Sequence, residues 1–86
     1  MIKIGYLPVF IRQLNKLEDS LVTETIEKID LFKDQKNHDM LKVHKLHGRL
    51  KGRYSFYVNY KIRVIFLYVS KNEVILLAVG DHDVYK

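Results

Sequence analysis

The alternation of apolar and polar positions divides the chain into a strand, two helices and three further strands. Residues Met1 to Leu7 alternate loosely, with Ile2, Ile4 and Tyr6 on one side, which predicts a short strand. Pro8 ends it, because proline suits a first helical turn, where its missing N–H would have had no partner. Phe10, Leu14 and Leu17 then recur at helical spacing and predict a first helix from Val9 to Leu17. A second helix is expected over 20–34, capped by Asp19 or Ser20. Its apolar stripe runs through Val22, Ile26, Ile29 and Lys33, with Leu21, Thr25 and Phe32 beside it, while Glu24, Glu27, Lys28 and Asp30 fill the outer face. A link as short as Glu18-Asp19 makes the pair an antiparallel hairpin lying across a sheet.

The polar run from Gln35 to His38 breaks this periodicity. In the connector from Asp39 to Arg53, Met40, Leu41, Val43, Leu46 and Leu50 stand at irregular spacing, which predicts a partly packed loop with a short strand near Val43 to Leu46. Gly48 and Gly52 mark turns, or points where the backbone comes close to a ligand such as a phosphate. From Tyr54 to Val58, Tyr54, Phe56 and Val58 share one face and Ser55 and Tyr57 the other. From Ile62 to Val69 both faces are apolar except at Arg63, which identifies the central strand. Ser70 to Glu73 forms a hairpin loop and Val74 to Gly80 a last apolar strand, followed by the tail Asp81 to Lys86. The fold class is therefore α+β, one domain over 1–86. An N-terminal strand and an antiparallel helix hairpin precede a three-stranded antiparallel meander, all in one mostly antiparallel sheet. Which later strand pairs with the first is not encoded in the pattern.

Composition narrows the setting. The chain has no cysteine, which excludes disulfides and thiolate metal sites and suits a reducing cytosol. His38, His44, His47 and His82 show no compact zinc spacing, so no metal or cofactor is expected. No apolar run approaches the roughly 20 residues that span a bilayer, and the N-terminus lacks a secretory pattern, so a soluble cytoplasmic protein without a membrane partner is expected. The net charge of +5 is unevenly spread. Glu18 to Asp34 carries six acidic residues against two lysines, whereas Lys36 to Arg63 carries eight basic residues against one aspartate. The second stretch is suited to a polyanion.

Arg63 interrupts a central strand, and a guanidinium there needs either a carboxylate, from Asp81 or Asp83, or a bound anion. His82 follows the last strand, and a histidine, with an ordinary pKa of about 6.5, can move protons near neutrality. Tyr85 either stacks on a base or packs to tether the C-terminus. His44 and His47 lie in the connector among Lys42, Lys45, Arg49, Lys51 and Arg53, with Lys61 further on, a set of cations suited to RNA.

The segments LHGRLKGRYSFYV, KIRVIFLY and VILLAVGDHDVYK resemble the RelE/ParE superfamily of toxin–antitoxin toxins. There a leucine, small polar, glycine turn leads into a strand. An arginine lies within a strand of the pattern arginine, hydrophobic, hydrophobic, aromatic, and the last strand ends in glycine, then histidine or arginine, then a terminal tyrosine. The resemblance implies a ribosome-dependent messenger-RNA endonuclease that cuts without a metal, using the ribose 2′-hydroxyl as nucleophile. By position, Arg63 matches the phosphate-steadying arginine, His82 the general acid and Tyr85 the terminal tyrosine. His44 falls near the general base, with His47 a contender. The lysine pair of RelE itself is replaced by Ser55 and Tyr57, so the histidine-bearing YafQ-like and YoeB-like branches are the nearer comparison. The implied partners are the ribosome, messenger RNA and a cognate antitoxin in a hetero-oligomer. The antitoxin is expected to be acidic where it meets 36–63 and to lie over the helix hairpin. The alternative is a ParE-like, non-enzymatic toxin that poisons DNA gyrase by contact.

Overall fold

The computed structural model describes residues 1–85; Lys86, the last residue of the expected tail, lies outside the described residues. The elements are strand β1 (Lys3–Tyr6), helices α1 (Pro8–Asn15) and α2 (Asp19–Phe32), and strands β2 (His44–Lys45), β3 (Tyr54–Tyr57), β4 (Arg63–Ser70) and β5 (Glu73–Gly80). Short 3-10 turns cover Gln35–Asn37, Gly48–Leu50 and His82–Tyr85. The strands form one sheet in the order β1-β5-β4-β3-β2, with β4 in the middle.

The α+β class and the meander β3-β4-β5 agree with the sequence pattern, with two additions. The short strand expected near Val43 to Leu46 is present as His44–Lys45, and it joins the sheet as a fifth strand by pairing with Ser55 and Tyr54 along the edge of β3. The sheet is also mixed: β1 runs parallel to β5, from Lys3 opposite Glu73 to Tyr6 opposite Leu76. The helix pair between β1 and the rest supplies the length that a parallel connection requires.

Both helices cover one face of the sheet. Phe10 and Leu14 of α1 and Ile29 and Phe32 of α2 share a core with Phe56, Val64, Phe66, Val74 and Leu76, the alternate residues of β3, β4 and β5. Helix α2 departs from its expected register: Thr25, Ile29 and Phe32 are buried, whereas Ile26 is 53% exposed. The small Thr25 can turn inward because its hydroxyl donates to the Leu21 carbonyl at 2.7 Å. Neither Asp19 nor Ser20 caps α2; Glu18 occupies that position without a side-chain bond, and Asp19 places its charge in the first turn.

Phe32 is the centre of the core. Its ring stacks on Phe56 at 4.8 Å and on His38 at 4.5 Å, and meets Phe66 edge-on at 4.8 Å. His38 Nε2 bonds the Phe32 carbonyl at 2.8 Å, which closes the end of α2. At the far end of β4, burial, with Tyr54 nearby, pushes the Tyr68 hydroxyl above its ordinary pKa. Replacing Phe32 by alanine removes three ring contacts at once and leaves a cavity. Phe32→Ala is expected to lose about 3–5 kcal/mol, read from the denaturant midpoint of unfolding.

Candidate functional site

The face of the sheet turned away from the helices carries Ser55, Tyr57 and Arg63. Strand pairing sets Tyr57 directly opposite Arg63 and Ser55 opposite both His44 and Ile65. On its other side Arg63 faces Gly80, which has no side chain to crowd it.

Arg63 is half-buried, and among the described residues its interactions come from neutral groups. Its Cζ lies 3.6 Å from the centroid of the Tyr57 ring, a cation–π contact. Its Nη1 donates to the Asn59 carbonyl at 2.8 Å and, more weakly, to the Ile62 carbonyl at 3.5 Å. The ion pairs found elsewhere join Lys28 to Glu24, Lys33 to Asp30 and Lys36 to Asp34. A guanidinium has five donors, and these bonds use only Nη1, so its charge and remaining donors are available to an anion.

The turn that holds Arg63 is itself locked. Asn59 Oδ1 accepts from the backbone N–H groups of Lys61 and Ile62 at 2.8 and 2.7 Å, and its Nδ2 donates to Glu24 of α2 at 2.8 Å. A single asparagine therefore connects the helix layer, the β3–β4 turn and the guanidinium.

The connector and the tail close the site from either side. Lys42 takes a left-handed conformation with φ of 57° just before β2. His44 Nδ1 lies 2.8 Å from the Lys42 carbonyl. A carbonyl can only accept, so Nδ1 carries a proton, and in the neutral ring the lone pair is on Nε2. Gly48 and Gly52, with φ of 68° and 90°, turn the chain so that Arg49 and Leu50 reach the cavity. After β5 the tail folds into its 3-10 turn, where Asp81 Oδ1 accepts from the Asp83 N–H at 2.9 Å. The Tyr85 hydroxyl and Ser55 Oγ lie 2.9 Å apart, which pins the tail to β3. The rings of His82 and Tyr85 meet edge-on at 5.1 Å.

These elements enclose a cavity of about 430 Å³ lined by His44, Leu46, His47, Arg49, Leu50, Tyr57, Arg63, His82 and Tyr85. It thus gathers two arginines and three histidines without a lining carboxylate. Of the cations singled out in the sequence, Lys42, Lys45, Lys51, Arg53 and Lys61 lie outside it: Lys61 lines a neighbouring hollow and Arg53 another. Tyr57 and Asn59 were not among the candidates. The signal for Tyr57 was its alternation onto the Arg63 face, whereas the role of Asn59 follows from turn geometry and a partner 35 residues away. No group of histidines, aspartates and glutamates able to hold a metal ion occurs among the described residues, and no helix is long and apolar enough to cross a membrane.

No protein-family model matches the chain, and no curated protein sequence does so either. Solved structures do. A conserved hypothetical protein from Helicobacter pylori is 25% identical over 100% of both chains, with a TM-score of 0.73. A chain of the RelBE2 toxin–antitoxin complex from Mycobacterium tuberculosis is 18% identical over 94% of this chain and 98% of that one, with a TM-score of 0.75. A chain of the YoeB-YefM complex from Staphylococcus aureus is 19% identical over 95% and 98%, with a TM-score of 0.72.

The tether between tail and sheet is open to direct measurement. A double-mutant cycle of Ser55→Ala and Tyr85→Phe in denaturant unfolding is expected to give a coupling of about 0.5–1.5 kcal/mol. Additive effects would show that the two hydroxyls do not hold each other.

Proposed function

We propose that this chain, which has the fold of RelE/ParE-like toxins, is the toxin of a type II toxin–antitoxin pair and an endoribonuclease that cuts messenger RNA on the ribosome. The observation that carries the reading is the single cavity in which Arg63, His44 and His82, from three separate parts of the chain, meet. A surface basic patch that only aided solubility would have no need to bring histidines from the connector and the tail against one strand arginine.

The chemistry follows from the side chains. The scissile phosphate binds the Arg63 guanidinium, which Tyr57 and Asn59 aim. His44 Nε2 accepts the proton of the ribose 2′-hydroxyl, because its Nδ1–H is committed to the Lys42 carbonyl. The 2′-oxygen attacks phosphorus, a cyclic phosphate forms, and the bond to the 5′-oxygen of the next nucleotide breaks. His82 gives that oxygen its proton. Tyr85, held by Ser55, keeps His82 in place through ring contact and offers a hydroxyl to the phosphate. His47 and Arg49 line the same cavity and add positive charge along the RNA. Lys42, Lys45, Lys51, Arg53 and Lys61, all exposed, serve the longer approach to ribosomal or messenger RNA in the cytoplasm.

The helix layer supports the antitoxin half of the reading. Tyr6, Ile11 and Ile26 are 50%, 40% and 53% exposed and line one groove with Leu14 and Ile29. An antitoxin segment covers such a groove with its own apolar side chains and reaches the basic connector with acidic ones.

Arg63→Ala and His82→Ala are each expected to stay folded and to cut ribosome-bound messenger RNA at least about 100-fold more slowly. Cleavage is read from the cut ends of a defined transcript on programmed ribosomes. Undiminished cutting by both variants would remove the assignment.

A further inference from the structure

Beside the main cavity lies a second hollow of about 330 Å³, lined by Tyr60, Lys61, Arg63, Asp81, His82 and Asp83. The two share Arg63 and His82, and His44 lines only the first. Tyr60 is 89% exposed, and among the described residues no ring contact holds it. Exposure of this degree on a loose loop would carry no message, but this loop is not loose. Asn59 fixes both backbone N–H groups that follow Tyr60, the Val58 N–H bonds the Ile62 carbonyl at 2.9 Å, and Glu24 anchors Asn59 from α2. The fold therefore spends four hydrogen bonds on presenting a bare aromatic ring at the rim of a hollow.

We infer that this hollow is a nucleobase subsite for the nucleotide on the 3′ side of the cut, with Tyr60 as its stacking platform. The inference rests on the endoribonuclease reading above and adds a direction to it. The base His44 works on the 2′-hydroxyl, so the nucleotide that carries this hydroxyl lies in the first cavity. The acid His82 protonates the departing 5′-oxygen, so the nucleotide bearing that oxygen leaves through the hollow that His82 borders and His44 does not. Asp81 and Asp83 also line this hollow. The charge of Asp81 repels a phosphate and its carboxylate accepts from base N–H groups, which, beside the bare ring of Tyr60, suits a base rather than backbone. Lys61, at the outer rim, meets the following phosphate. Stacking of a base on an aromatic side chain tolerates any sequence and contributes roughly a tenfold effect per base.

The test combines a variant with a missing base. Single-turnover cleavage is measured on ribosomes programmed with messenger RNA that carries either a normal or an abasic nucleotide directly 3′ of the mapped cut. For the parent protein the abasic site is expected to slow cleavage about tenfold. Tyr60→Ala is expected to be about tenfold slower on normal RNA and indifferent to loss of the base, while Tyr60→Phe, which keeps the ring, behaves as the parent. Its exposure makes misfolding of Tyr60→Ala no explanation, and circular dichroism checks this. If Tyr60→Ala cleaves at the parent rate, or keeps the full abasic penalty, the subsite is overturned while the nuclease reading stands. If the parent cuts no RNA, or Arg63→Ala cuts as well as the parent, the nuclease reading falls and the subsite falls with it.

Discussion

A charged guanidinium at the first position of the middle strand is the constraint on which the site depends. Burying it fully would call for a carboxylate, which would also cancel the charge. This protein leaves Arg63 half-buried and steadies it with groups that carry no charge: the face of Tyr57 at 3.6 Å and the Asn59 carbonyl at 2.8 Å. The arginine is positioned without being neutralised, and its field acts on whatever enters the cavity.

That arrangement reaches into the core through Asn59. Its amide donates to Glu24, so the placement of the β3–β4 turn depends on the seating of α2, and α2 is seated by Phe32 against Phe56 and Phe66. The two faces of the sheet are thus coupled: Phe56 points to the helices, while its neighbours Ser55 and Tyr57 line or support the site. The tail is attached by a different device, the Ser55–Tyr85 hydrogen bond, which links the residue opposite His44 to the turn that bears His82. Connector and tail, distant in sequence, are held against the same strand.

Much of this was legible in the sequence because it follows from period and polarity. The apolar runs of β4 and β5 and the isolated Arg63 identified the middle of the sheet, and Ser55 and Tyr57 alternated onto the face of the arginine. Elements set by long-range pairing were not legible. The short strand near Val43 to Leu46 was expected, but not that His44 and Lys45 would pair along the open edge of β3. The parallel pairing of β1 with β5 depends on how the helices return the chain. The stripe of α2 was misplaced because Ile26 is the more hydrophobic residue, whereas the backbone bond of Thr25 lets the smaller side chain face the core. Among the residues that line the cavity, type and position singled out Arg63, His44, His82 and Tyr85 as candidates, but nothing in the residue order shows that Asn59 aims the arginine.

The most direct measurement is a structure of the protein on a ribosome programmed with messenger RNA blocked by a 2′-O-methyl group at the cut site. The account predicts the phosphate adjoining that group within hydrogen-bond range of Arg63, about 2.7–2.9 Å, with His44 on the side of the blocked 2′-oxygen and His82 on the side of the departing 5′-oxygen. RNA bound elsewhere, with the cavity empty and Arg63 touching only Asn59, Ile62 and Tyr57, would contradict it.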